Sequence, residues 1–121
     1  MERTFRDLAR RLDELVPGLV IEPRFTARAS GPGRPREVRV GAVDRRRAGA
    51  FLVPRRDGWR CEVWMPRTQI MSDDHSVARR GGRADDTYTY ARIPVPVEAD
   101  TEHVARLIAS GIRACRPTPT I

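Results

Sequence analysis

Between Glu37 and Met65 the chain reads as three runs of alternating side chains separated by polar turns, and this period of two constrains its fold more than any other feature. The runs are Glu37 to Val43, Ala48 to Arg55 and Trp59 to Met65. Successive side chains of a strand point to opposite faces, so three such runs joined by short turns specify an antiparallel meander. A four-residue turn, Asp44-Arg45-Arg46-Arg47, sets Val40 opposite Phe51 and Val38 opposite Val53. A three-residue loop, Arg56-Asp57-Gly58, with Gly58 in the left-handed position of a bulged hairpin, sets Phe51 opposite Val63 and Val53 opposite Cys61. A two-residue Asp57-Gly58 loop would instead set Phe51 against Trp64, which mixes the faces. In the favoured register one face collects Val38, Val40, Phe51, Val53, Cys61, Val63 and Met65, and the other carries Arg39, Leu52, Arg60, Glu62 and Trp64.

The flanks supply the covering layer. Phe5, Leu8, Ala9, Leu12, Leu15 and Val16 fall at helical spacing, Thr4 and Asp7 suit a helix start, and Pro17-Gly18 ends the pattern. Leu19 to Ala29 alternates, with Leu19, Ile21, Phe25 and Ala27 on the inner side and Pro23 marking an edge or a bulge. Ser30 to Arg36 is a loop, and residues 67–86 form a long polar one. Thr87 to Val95 resumes alternation as a fifth strand, with Tyr88, Tyr90 and Arg92 on its second side. Asp100 is the N-cap of a last helix whose stripe is Val104, Leu107, Ile108 and Ile112, and residues 116–121 form a short Pro-containing tail. The expectation is a single α+β domain over residues 1–121, a mostly antiparallel five-stranded sheet flanked by an N-terminal and a C-terminal helix. A length of 121 residues argues against a two-domain enzyme with an interdomain cleft.

Charge narrows the function classes. The net charge is +7, all 23 basic residues are arginine, and residues 31–67 hold 10 of them against 4 acids, so +6 of the excess lies in the meander. Guanidinium groups match phosphate oxygens with paired donors, which makes nucleic acid the natural partner class. An arginine-only basic set is also what GC-rich codon usage produces without selection for binding. The candidate contacts are Arg34, Arg36, Arg39, Arg45, Arg46, Arg47, Arg55, Arg56 and Arg60. Meander order puts Arg34, Arg36, Arg55 and Arg56 at one end of the sheet and Arg45 to Arg47 at the other, which argues for a broad surface and against one small phosphate pocket. Trp64, sharing a face with Arg39 and Arg60, is either a stacking platform for a base or partner, or packing beneath a helix.

Other chemistry is thin. Cys61 and Cys115 have neither CxxC spacing nor a Cys/His cluster, so they read as buried thiols, and no metal or cofactor is expected. Asp73, Asp74 and His75, with His103, Asp85 and Asp86 as companions, match no catalytic spacing; ARRGGRADD lacks the GK[ST] element of a phosphate loop. No apolar run reaches membrane-spanning length and the N-terminus has no signal-like apolar block, so the expectation is a cytoplasmic protein with no membrane partner.

The stretch AGAFLVPRRDGWRCEVWMPR, the polar loop, YTYARIPV and the acidic start of EADTEHVARLIASGIRA together resemble a small bacterial family classed only as a domain of unknown function. More distantly, the layout from Phe5 to Ala114 is similar to the YjbR/MmcQ-like fold. That resemblance implies an α+β domain that binds DNA through hairpin wings. The leading expectation is thus a non-enzymatic binding module with an Arg-rich hairpin surface for DNA or RNA. A protein-interaction or accessory subunit of a bacterial complex, with an acidic protein partner or a contact around Trp64 and Leu52, is the alternative, and an enzyme using the His75 loop comes third.

Overall fold

A computed structural model describes residues 3–25, 35–72, 75–78, 87–96 and 100–119. The elements run α1 (Arg3–Leu15), β1 (Leu19–Arg24), β2 (Glu37–Ala42), β3 (Ala50–Arg55), β4 (Gly58–Pro66), α2 (Arg67–Ser72), β5 (Ser76–Val77), β6 (Tyr88–Pro96) and α3 (Thr101–Ala114). The strands form one antiparallel sheet in the order β1-β2-β3-β4-β6-β5, so the class is α+β with six strands where five were expected. The additional strand, and α2 before it, come from within the expected polar loop. Ile70 explains the helix: it is the one large apolar residue of that turn described as buried, and it joins the main core.

The helices share one face of the sheet. Leu8, Leu12 and Val16 of the α1 stripe and Val104, Ala105, Ile108 and Ile112 of α3 pack on Val38, Val40, Ala50, Leu52, Cys61, Val63, Ala91, Ile93 and Val95. Asp100 caps α3 as expected, its carboxylate accepting from the Glu102 N–H at 3.0 Å. An ion pair ties the two helices together: Arg11 Nε donates to Glu102 at 2.7 Å, and this hydrogen bond holds the Glu102 carboxyl below the ordinary carboxylate range. Phe5 reaches the sheet through Trp59, with ring centroids 5.1 Å apart.

The meander register differs from the expectation by one residue. Val38 faces Leu52 and Val40 faces Ala50, while Leu52 faces Cys61 and Phe51 faces Glu62. Leu52 therefore belongs to the helix-covered core, whereas Phe51 and Val53 lie on the second face. The turn accounts for the slip. Arg55 pairs directly with Gly58, leaving only Arg56 and Asp57 between strands, and Gly58 has φ +142°, a conformation that side-chain-bearing residues rarely adopt. Alternation could not reveal this, because Phe51 and Leu52 are both buried, at 8% and 2% exposure. Where both faces of a strand are covered, parity carries no signal.

The second face has its own small core of Ala48, Phe51, Trp64, Ala78, Tyr90 and Cys115, with Tyr88 against it. Cross-strand registers place a row of Glu22, Arg39, Phe51, Glu62, Arg92 and Ser76 across all six strands of that face. β1 ends at Arg24, and Phe25, expected to point inward, is 60% exposed; residues 26–29 of the expected strand, Ala27 among them, lie outside the described residues.

α3 reaches the β2–β3 turn by close backbone approach. A Cβ on Gly111 would stand 2.7 Å from the Trp64 carbonyl oxygen and 3.0 Å from that of Gly49. One on Gly49 would stand 2.7 Å from the Ile112 nitrogen. After α3 the chain clasps the turn: Thr118 N–H donates to Asp44 O at 2.7 Å, Arg46 N–H donates to Arg116 O at 3.0 Å, and Arg45 bridges to Pro117. No helix among the described residues is long and apolar enough to cross a membrane.

Candidate nucleic-acid interface

The antiparallel order puts the arginines of the meander at two ends of the sheet, separated by the length of β3, about 20 Å for six residues. At the end holding the β2–β3 turn they are largely engaged. Arg45 Nη1 donates to the Cys115 carbonyl at 3.0 Å, and its Nε lies 3.7 Å from Asp44. The Arg47 guanidinium sits 4.4 Å from the centroid of the Trp64 ring, a cation–π contact. Arg46 alone of the three is exposed. The sequence offers all three as ligand contacts; the structure makes two of the three guanidiniums part of the packing.

Trp64 is correspondingly not a free platform. It is 4% exposed, stacked on Tyr88 with centroids 5.7 Å apart and an interplanar angle of 16°, and 5.0 Å from Tyr90. Among the described residues it packs on the sheet's second face with Ala48, Phe51, Ala78, Tyr90 and Cys115, apart from the helix-covered core where packing beneath a helix was expected. The Tyr90 hydroxyl donates to Ala48 O at 2.8 Å and pins the same turn. Leu52, the other residue expected to meet a partner, is buried under the helices.

The second face carries a broken, partly buried ladder of two ion pairs parted by Phe51. Arg60 Nε is 3.2 Å from Glu62, a carboxylate residue only 4% exposed, and Arg39 Nη1 is 3.8 Å from Glu22. A guanidinium committed to an adjacent carboxylate in partial burial is held by the fold and offers a ligand less net charge. Arg39 and Arg60, both expected to touch the ligand, belong to this ladder.

The opposite end is different. Arg24, the last residue of β1, accepts at its carbonyl the Arg36 N–H at 2.8 Å, which brings the two residues side by side. Both guanidiniums lie 4.0 Å from one Glu37 carboxylate oxygen, and their side chains remain 48% and 62% exposed. Two cations around one carboxylate leave a net positive charge. Arg55 and Arg56, on the neighbouring β3–β4 hairpin, are exposed and have no ion pair among the described residues. Asp57 is the exposed acid of that turn. Sequence reasoning missed Arg24 as a member of this group; the signal was its place at the edge strand's end, opposite Glu37. Arg34 lies outside the described residues.

The remaining chemistry is dispersed. Both cysteines are buried free thiols, as expected; burial pushes Cys61 up strongly and raises Cys115 to about 11. His75 is half-buried, with its backbone N–H donating to Ile70 O, and His103 is exposed on α3. Asp73, Asp74, Asp85 and Asp86 lie outside the described residues, among which no three His, Cys, Asp or Glu side chains gather as metal ligands. Comparison with protein-family models, with curated proteins and with solved structures finds no match.

Proposed function

We propose that this chain is a non-enzymatic binding module that holds the phosphates of a nucleic acid at the β1–β2–β3 end of its sheet, through Arg24, Arg36, Arg55 and Arg56. The observation that carries the reading is the division of the arginines. Those in the ladder and two of the three at the β2–β3 turn are engaged by the fold, whereas these four remain exposed: Arg24 and Arg36 share one buried carboxylate, Arg24 also lies 6.0 Å from the centroid of the Phe51 ring, and Arg55 and Arg56 have no ion pair among the described residues. Neighbouring strand ends lie about 5 Å apart, so the four span a surface suited to successive phosphates. The β3–β4 hairpin carrying Arg55 and Arg56 is also the type of wing that a YjbR-like protein would place on DNA.

The test is binding to nucleic acid as salt is varied. Replacing Arg36, Arg55 and Arg56 with Gln should weaken binding for all sequences alike. For duplex DNA the slope of log K against log salt should flatten by up to about 0.9 for each phosphate that an arginine no longer neutralises. Arg46→Gln, at the other end, should change affinity much less. Equal affinity of the triple variant and the unsubstituted protein, both folded, would overturn the proposal.

A further inference from the structure

The described residues include three large apolar side chains exposed to solvent: Phe25 at 60%, Val43 at 71% and Val77 at 48%. They are not equivalent. Val43 lies beside the β2–β3 turn, where its N–H donates to Gly18 O, and Val77 lies on the two-residue edge strand β5. Phe25 is the only aromatic ring of the three, and it directly follows the exposed Arg24, whose carbonyl accepts from the Arg36 N–H. The Arg36 N–H to Arg24 O hydrogen bond fixes the backbone on which it stands. The other large aromatic rings at hand are consumed internally: Trp64, Tyr90 and Phe51 are under a tenth exposed, and Trp59 packs on Phe5.

An exposed phenyl ring loses by standing in water and gains by stacking on a planar partner. At the strand end that carries Arg24 and Arg36, it gives this edge the composition of a single-strand site: cations along the chain, a π-face for a base. A duplex does not offer this ring a base face without unstacking, which costs a few kcal/mol per step. A membrane surface is the other partner that takes cations with an apolar side chain. Affinity for it grows with the apolar area inserted, and one ring supplies little.

We infer that Phe25 is a base-stacking residue and that the nucleic acid held at this end is single-stranded. This rests on the proposed phosphate contacts of Arg24, Arg36, Arg55 and Arg56 and adds to them the class of strand. The covering of Trp64 strengthens the inference, because it leaves Phe25 as the exposed aromatic ring beside those cations.

The experiment measures binding of the whole chain to a labelled oligodeoxythymidine of about 12 nucleotides, to the same strand in a duplex, to oligouridine, and to phosphatidylserine vesicles. The unsubstituted protein should prefer single strands, with the thymidine and uridine arms deciding between DNA and RNA. Phe25→Ala should weaken single-strand binding about ten-fold while leaving duplex affinity and the salt slope unchanged, because no charge is removed. Phe25→Trp should restore or exceed the original affinity. Melting temperatures should match, since the side chain is exposed. Single-strand binding that Phe25→Ala leaves unchanged would overturn the inference while leaving the phosphate contacts standing. So would an equal drop on duplex and single strand, or Phe25-dependent binding to vesicles without oligonucleotide binding. Failure of the unsubstituted protein to bind any nucleic acid would instead overturn the phosphate reading itself, and this inference with it.

Discussion

The β2–β3 turn and the β3–β4 hairpin are both arginine-rich connections of one meander, yet they put their guanidiniums to different uses. At Arg45 to Arg47 the chain's last turn of helix and its tail close over the connection. One guanidinium donates to the Cys115 carbonyl and another covers the Trp64 ring. At Arg55 and Arg56, in the tight turn closed by the Arg55–Gly58 pair, both side chains are exposed and have no ion pair among the described residues. Both connections are rich in arginine. What differs is whether a second backbone segment comes close enough to supply a carbonyl acceptor, as at Cys115, and whether a ring of the sheet, Trp64 of β4, lies against the guanidinium.

The comparison is broken most sharply by forcing the second segment away from the first turn. Gly111→Ala puts a Cβ against two carbonyl oxygens that belong to the sheet and its turn, neither at the end of a flexible side chain. It should cost about 3 kcal/mol or more of stability by urea denaturation. A midpoint equal to that of the unsubstituted protein would show that α3 does not seat the turn.

Arg47→Gln removes the cation from the Trp64 ring and should destabilise by about 1 to 2 kcal/mol, the range for a partly desolvated cation–π contact. Tryptophan fluorescence should also rise in solvent sensitivity. An unchanged melting temperature would place Arg47 with the merely exposed arginines.

Cys115 reports on the same closure. Burial raises its thiol from an ordinary 9.0 to about 11, so the folded state keeps the proton where the unfolded chain releases it. Unfolding then exports a proton between these values, and the stabilising effect of the neutral buried thiol fades as pH rises from about 9 toward 11. Alkylation at about pH 8, just below the ordinary thiol range, should be slow in the folded protein and fast in urea. Rapid labelling of the native protein would mean that the C-terminal clasp opens readily.

The smallest stability effect is expected at the hairpin. Arg55→Gln with Arg56→Gln should shift stability by no more than about 0.5 kcal/mol, while accounting for part of the drop in nucleic-acid affinity. A destabilisation comparable to Arg47→Gln would erase the contrast between the turns.

Much of the framework was legible because it follows local periodicity. The α1 stripe, the Asp100 cap, the β6 alternation and the buried state of both thiols each depend on residues close in sequence or on one strongly biased surface. The meander's strands were legible for the same reason, and so was the separation of its two arginine-bearing ends, since antiparallel order dictates it. The register was not. Residues 48–53 are apolar at both parities, so the choice between Phe51 and Leu52 fell to the turn at Gly58 and to the packing of two cores. The fates of the arginines were hidden more completely. Arg45 and Arg47 meet partners 70 and 17 residues away, at Cys115 and Trp64, and Phe25 and Arg24 gain their place beside Arg36 only once β1 pairs with β2. Charge and alternation are properties of the chain, but whether a given guanidinium or ring is free for a partner depends on which distant backbone comes to rest on it, and tertiary packing alone decides that.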